Sequence, residues 1–255
     1  MLRGSFALCA AAATMVGMVA VADAAEALLA PISRSWSHDG IFGTYDRAAA
    51  QRGLQVYRGV CAGCHGIRQV DFRNLVDLGF SEDEVRALAS EYFVTDGPDD
   101  FGEMFEREAV PADGFPSPFP NAQAARAANA GAYPVDLSLI TKARHNGDNY
   151  LYSLLRGYQA PPAGAEPLEG LHYNPYFPGG WLAMPPPLME GVVQYADGTE
   201  ATVEQMAADV TVFLAWAADP MLEERKRTGL KVMLFLIVLT GLFYATKRKI
   251  WADAH

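Results

Sequence analysis

Cys61-Ala62-Gly63-Cys64-His65 is the stretch on which the reading of this chain turns. Two thiols three residues apart, with a histidine directly after the second, form the spacing of a c-type haem attachment site. Each cysteine can add across one vinyl group of the haem, and one helical turn sets the spread between them. The adjacent imidazole is then carried to the porphyrin face, where it can ligate iron. The competing readings are half a zinc site, a thioredoxin-type redox pair or a chance spacing. A four-thiolate zinc site needs a second C-x-x-C, and the chain has none.

The N-terminus supplies a compartment. Met1-Leu2-Arg3 is followed by an apolar run from Phe6 to Ala22 and by Ala22-Asp23-Ala24. A basic start, an apolar core and an A-x-A-like end make a secretory signal peptide over residues 1–24, with a retained anchor as the rival reading. Cys9 lies inside it, so the mature chain keeps only Cys61 and Cys64. An exported protein with no thiol to spare for disulfides fits two cysteines consumed by haem.

Charge is distributed unevenly. Residues 25–222 hold 26 Asp and Glu against 12 Lys and Arg, a net of −14, whereas residues 223–255 hold seven of the basic groups. An acidic globule on a basic, apolar tail argues against nucleic acid and for a cationic partner. From Val232 to Thr246 the tail has fifteen uncharged residues, extending to 19 from Thr228 if Lys231 snorkels. That is close to the ~20 residues a bilayer needs. A buried core helix is the alternative, but the flanking R-K-R and K-R-K clusters would be hard to bury. The expected organisation is a signal peptide (1–24), a periplasmic haem domain (25–222), a transmembrane helix with basic flanks (223–249) and a cytoplasmic tail (250–255). The signal peptide sets this orientation, since the basic clusters on the two sides of the span nearly balance.

Within the domain, Asp46 can cap a helix carrying Ala50, Leu54, Tyr57 and Cys61 on one face, which delivers the haem motif. Ser81 and Glu84 form a capping box, and so do Thr202 and Gln205 ahead of a helix with an apolar stripe from Val203 to Ala217. Asn121 to Ala130 reads as an Ala-rich helix closed by Gly131. Asp136 is expected to start a short helix ending near Gly147, and Asp148 another that stops at Gly157. From Tyr158 to Pro187 the periodicity breaks, because eight of the sixteen prolines fall there. Tyr158, Tyr173, Tyr176, Phe177 and Trp181 mark this stretch as an ordered loop packed on something large and apolar. The fold class expected is all-α: a cytochrome c-like helical haem domain with long loop insertions and one C-terminal transmembrane helix.

A haem with one histidine needs a second axial group or an open position. Met104, Met184, Met189, Met206, His38, His145 and His172 are the candidates by type. Met184 is preferred, because Gly179 and Gly180 allow close backbone approach and Pro185-Pro186-Pro187 stiffen the loop behind it. Met189 would be packing and Met206 core. His/Met ligation raises the potential relative to bis-His, and a closed site points to electron transfer. Residues 82–113 carry eleven acidic groups against Arg86 and Arg107. Asp99, Asp100 and Glu103 in that run are candidates for docking a basic partner.

The ordered set of motifs resembles the cytochrome c1 family, the haem subunit of the quinol:cytochrome c oxidoreductase (cytochrome bc) complex. It comprises W-S-H-D-G from Trp36, R-G-L-Q-V-Y from Arg52, C-A-G-C-H and D-G-P-D-D-F-G-E-M-F from Asp96. It continues with A-A-R-A-A-N from Ala124, K-A-R-H from Lys142, S-L-L-R-G-Y from Ser153, N-P-Y-F-P-G from Asn174 and A-M-P-P-P-L from Ala183. It ends on R-K-R-x-G-x-K from Arg225, so the likeness runs from Trp36 to about Trp251. The resemblance implies one covalent haem c with His65 and Met184 as axial ligands, Arg144 against a propionate and Asn129 assisting. It also implies cytochrome b and the Rieske iron–sulfur protein as membrane partners, a soluble cytochrome c as acceptor, and a place in the bacterial inner membrane. The chain departs from the pattern at Asn146, where many relatives have glycine after the histidine, which leaves the local turn open. A haem enzyme or gas sensor with an open iron site, and an anchored cytochrome c of another complex, are the alternative functions.

Overall fold

The computed structural model describes residues 27–166 and 169–252. The expected signal peptide, with Cys9, lies outside the described residues. Six α-helices dominate the rest. They are α1 (Arg47–Val56), α2 (Glu82–Ala89), α3 (Ala122–Ala128), α4 (Gly147–Arg156), α5 (Val203–Ala218) and α6 (Leu222–Ile250). The all-α expectation needs one correction, since the described residues also form two small antiparallel sheets. Strands β1 (Phe93–Asp96) and β2 (Phe105–Glu108) make a hairpin with Phe93 opposite Glu108. Strands β3 (His172–Tyr173) and β4 (Trp181–Leu182) pinch the base of the proline-rich loop. Both sheets are too short for a period-two pattern to stand out, which is why the sequence read as loop there.

The capping residues behave largely as their chemistry requires. Asp46 Oδ1 accepts from the Ala49 amide at 3.0 Å, and Ser81 and Glu84 complete a reciprocal box at the start of α2. Thr202 Oγ1 accepts from the Gln205 amide, but the Gln205 side chain does not return to Thr202. It donates instead to both carboxylate oxygens of Asp209 at 3.0 Å, one turn along α5. The helix expected from Asp136 does not form. Residues 138–145 are successive turns, and α4 begins at Gly147 behind Asn146. Asn146 itself adopts φ 54° and ψ 42°, the left-handed conformation that glycine prefers and asparagine tolerates, so the substitution at this turn carries little strain.

The core sits where α1 crosses α5, and α4 also packs on α5. Leu54, Val56, Tyr57, Phe72, Met206, Phe213, Leu214 and Trp216 are fully buried there. Gly53 is the crossing point, because a Cβ at that position would lie 2.1 Å from the Asp209 carbonyl oxygen and 2.6 Å from Phe213 Cβ. Beside it Arg52 grips the buried Asp209 carboxylate through Nε and Nη2, at 2.9 and 3.1 Å. Gly53→Ala would therefore force α1 away from α5, and overpacking of this kind costs about 1–3 kcal/mol. The backbone carbonyl cannot rotate aside as a side chain can, so the upper end is expected. Chemical unfolding of the haem-loaded protein measures it, and an unchanged midpoint would contradict the crossing.

Helix α6 is long and apolar enough to cross a membrane, and none of its apolar stretch is buried. Its first turns are nonetheless part of the domain. Leu222 is buried, Glu223 takes a bidentate pair from Arg47 at 2.6 and 3.0 Å, and the Tyr45 amide donates to the same carboxylate at 2.9 Å. Lys226 Nζ donates to the carbonyls of His38 and Gly43 at 2.6 and 3.2 Å. The contacts of the domain thus reach Lys226, four residues beyond the boundary at 222 drawn from composition.

Candidate haem site

The last turn of α1 widens into a π-turn, Tyr57–Cys61, in which the Ala62 amide reaches back to the Tyr57 carbonyl at 2.8 Å. A π-turn inserts one extra residue and so re-aims the chain beyond it, a device common at functional sites. The chain then curls, with the Cys64 and His65 amides donating to the Cys61 carbonyl at 3.1 and 2.9 Å. Cys61 and Cys64 are unpaired. Cys61 packs on the main core, and burial, reinforced by Cys64, pushes its thiol up to about 12. An environment that disfavours thiolate suits a neutral thioether. Cys64 is exposed and lines a cavity of about 280 Å³ whose wall mixes Phe119, Ala125 and Tyr133 with Arg68, Asn121 and Asp136.

His65 is braced from two sides. The buried Tyr57 hydroxyl donates to its carbonyl at 2.9 Å, and its Nδ1 lies 2.7 Å from the Val135 carbonyl oxygen. A carbonyl can only accept, so Nδ1 bears the proton and the Nε2 lone pair is left for a metal, the arrangement found behind most metal-bound histidines. Burial lowers the imidazole pKa, which favours that neutral form. Val135 is held in turn by Asp136, whose carboxylate accepts from Arg68 and Ser138, and by the Leu137 amide on the Gly66 carbonyl at 2.8 Å. Sequence reading missed Tyr57 and Val135 as supports. A backbone acceptor leaves no residue signature in the sequence.

Met184 belongs to a second apolar cluster, separate from the main core. It packs with Tyr158 and Phe177 against Tyr150, Leu154 and Leu182. The Tyr158 hydroxyl donates to the Met184 carbonyl at 3.1 Å, which fixes the backbone at the methionine. Arg144 is exposed, donates to its neighbour's carbonyl, and adjoins Tyr150 of this cluster. Asn129, the residue after α3, is half-buried and donates to the Ala125 carbonyl at 2.7 Å. Ala125 lines the Cys64 cavity, so Asn129 is tied to a wall residue of that cavity, while Arg144 adjoins the cluster that holds Met184.

The remaining ligand candidates are placed elsewhere. Met189 is 64% exposed, Met104 lies on the acidic connection between β1 and β2, and Met206 is buried in α5. His38 is buried with Nε2 2.9 Å from Asp148 Oδ2, a structural pair, while His172 is in β3 and His145 is exposed. Asp99, Asp100 and Glu103 are exposed between β1 and β2. One Asp99 oxygen accepts from the Phe101 and Glu103 amides at 2.9 Å. Around them Arg107 lowers the carboxyl pKa of Asp96 and Asp113 through direct hydrogen bonds, and Arg58 pairs with Glu91. Neutralisation is thus concentrated at the base of the hairpin, and its tip keeps its negative charge.

These residues fit a covalently attached haem: two unpaired thiols, one packed on the core and one lining a cavity, an imidazole with its proton fixed away from the metal side, and a thioether in an apolar setting. Comparison with known proteins agrees. Residues 36–254 match the model of the Cytochrome C1 family. The chain is similar to a mitochondrial haem protein, cytochrome c1-2 of Solanum tuberosum, with 54% identity over 232 residues, covering 90% of this chain and 89% of that one. It is 50% identical to cytochrome c1 of Rhodospirillum rubrum over 258 residues, 93% of this chain and 94% of that one. It is 49% identical to the cytochrome b/c1 of Bradyrhizobium diazoefficiens over 98% of this chain, but spans only 40% of that longer protein.

Proposed function

The chain belongs to the cytochrome c1 family, and on that premise we propose that it is a membrane-anchored c-type cytochrome passing single electrons from the Rieske iron–sulfur protein to a soluble cytochrome c. The family is one of respiratory electron transport, with a covalently bound haem and membership of the b–c1 complex. The finer reading is that Cys61 and Cys64 attach the haem, His65 and Met184 ligate its iron, and Arg144 and Asn129 meet its polar edge. When bound, the haem supplies a one-electron couple. The observation that carries the reading is the Nδ1 contact of His65 with Val135, because it prepares Nε2 as a ligand before any metal arrives. Val135 then orients the imidazole, Tyr57 and Tyr158 fix the backbone at His65 and Met184, and the apolar cluster around Met184 keeps water from a weak ligand.

The chain would act as a subunit, not as an enzyme by itself. Helix α6 would span the inner membrane with the haem domain in the periplasm and the C-terminus in the cytoplasm. Detergent solubilisation should bring cytochrome b and the Rieske protein down with it, whereas purification as a lone cytochrome would contradict membership of that complex. The ferric protein should show the weak far-red band of methionine–iron coordination. Its absence would favour an open iron site, and so an enzyme or gas sensor.

The hairpin tip supports docking of a basic cytochrome c. Clustered charge raises encounter rates by about 10–10³-fold at low salt. The attraction fades as the Debye length falls from ~10 Å at 0.1 M to ~3 Å at 1 M. Cytochrome c reduction should therefore slow as ionic strength rises. Neutralising Asp99, Asp100 and Glu103 together should flatten that dependence and leave the haem potential intact. A rate independent of salt with a basic partner would defeat the steering role.

A further inference from the structure

The loop ahead of α1 ends in an apolar tip that none of the described residues covers. Its stem is closed by the Asp39 amide on the Trp36 carbonyl and the Thr44 amide on the Ser37 carbonyl, both at 3.0 Å, and by the Trp36 amide on Asp39 Oδ2 at 2.8 Å. Gly43 is folded so tightly that a Cβ there would lie 2.0 Å from the Asp39 carbonyl oxygen. Between these ties Ile41 and Phe42 are 69% and 80% exposed. Two adjacent apolar side chains at a braced turn are a poor surface for water and a good one for an apolar phase.

The position of the tip says which phase. Both its shoulders, the carbonyls of His38 and Gly43, are held by Lys226 of α6. Lys226 is two residues before Thr228, where the uncharged run begins apart from Lys231. At 1.5 Å per residue the two Cα atoms differ by about 3 Å along the helix axis. The tip is thus fastened at the level where α6 would meet the headgroups. Arg225 is engaged with Asp219, but Arg227 and Lys231 add positive charge to this part of α6, which suits anionic lipid.

We propose that Ile41 and Phe42 insert into the headgroup–acyl boundary of the bilayer that α6 crosses. The chain would then hold the membrane at two places, the span and the loop, and the Lys226 tie would set the tilt of the haem domain over the surface. The inference rests on the reading of α6 as a membrane span.

The test uses the full-length haem-loaded protein in vesicles of phosphatidylcholine and phosphatidylglycerol. Nitroxide labels are placed singly through Phe42→Cys, Ile41→Cys, Leu236→Cys in α6 and Asp99→Cys on the hairpin. Collisional accessibility to oxygen, which enters lipid, is compared with that to a water-soluble nickel chelate. The oxygen-to-nickel ratio at residues 41 and 42 should exceed that at 99 several-fold and approach that at 236. An aqueous pattern at 41 and 42 with a lipid pattern at 236 overturns the inference and leaves the span standing. An aqueous pattern at 236 sinks both. Labels at 41 and 42 shielded from both agents would mean a protein surface covers the tip, a second copy included, and would also overturn it.

Discussion

Replacing Cys61 and Cys64 together by serine should reduce covalent haem to background. The wild-type protein should keep its haem through acid–acetone extraction and stain for haem after denaturing electrophoresis, because two thioether bonds survive both treatments. The double variant should lose the stain. Each single variant should retain one bond, and its alkaline pyridine spectrum should shift because one vinyl group stays conjugated. Serine at Cys61 places a hydroxyl in an apolar site, which costs about 1–3 kcal/mol if unpartnered. A Cys61→Ala, Cys64→Ala variant therefore accompanies it, so that loss of haem is not confused with a buried hydroxyl. A haem stain persisting in both double variants would overturn the attachment site.

How far the site could be read in advance depends on where the information resides. The thiols, His65 and the glycine–proline setting of Met184 are side-chain choices at fixed spacing, so they stand in the sequence. The cap of α1 at Asp46 and the box of α2 at Ser81 are equally local and form as read. What failed to show was non-local. Gln205 turns from its cap to Asp209, because the carboxylate gripped by Arg52 accepts its amide as well. The turns at 138–145 replace a helix, because Asp136 is engaged with Arg68 and Ser138 rather than capping a helical turn. Lys226 read as part of a membrane flank, yet it holds two loop carbonyls 183 and 188 positions away. The Asn146 departure looked like a doubt about the turn. The backbone there is left-handed, a conformation asparagine tolerates, so this residue fits the turn it occupies.

Met184→Lys should lower the haem midpoint potential strongly, while Met189→Leu should leave it almost unchanged. A thioether favours ferrous iron and an amine favours ferric, and axial ligation spans ~0.8 V across haem proteins. A fall on the order of 200 mV is expected. At ~59 mV per tenfold for one electron, that makes reduction by a Rieske centre about two to three thousandfold less favourable. The structure distinguishes the two methionines on physical grounds. Met184 has its backbone fixed by Tyr158 and its side chain packed on Tyr150, Leu154 and Leu182, so it would need less ordering to serve as a ligand. Met189 is 64% exposed, so as a ligand it would have to be ordered and desolvated at the moment of binding, which a weak donor cannot easily offset. A redox titration of the two variants decides between them. A large fall with Met189→Leu and none with Met184→Lys would transfer the ligand to Met189 and require the proline-rich loop to move on haem attachment.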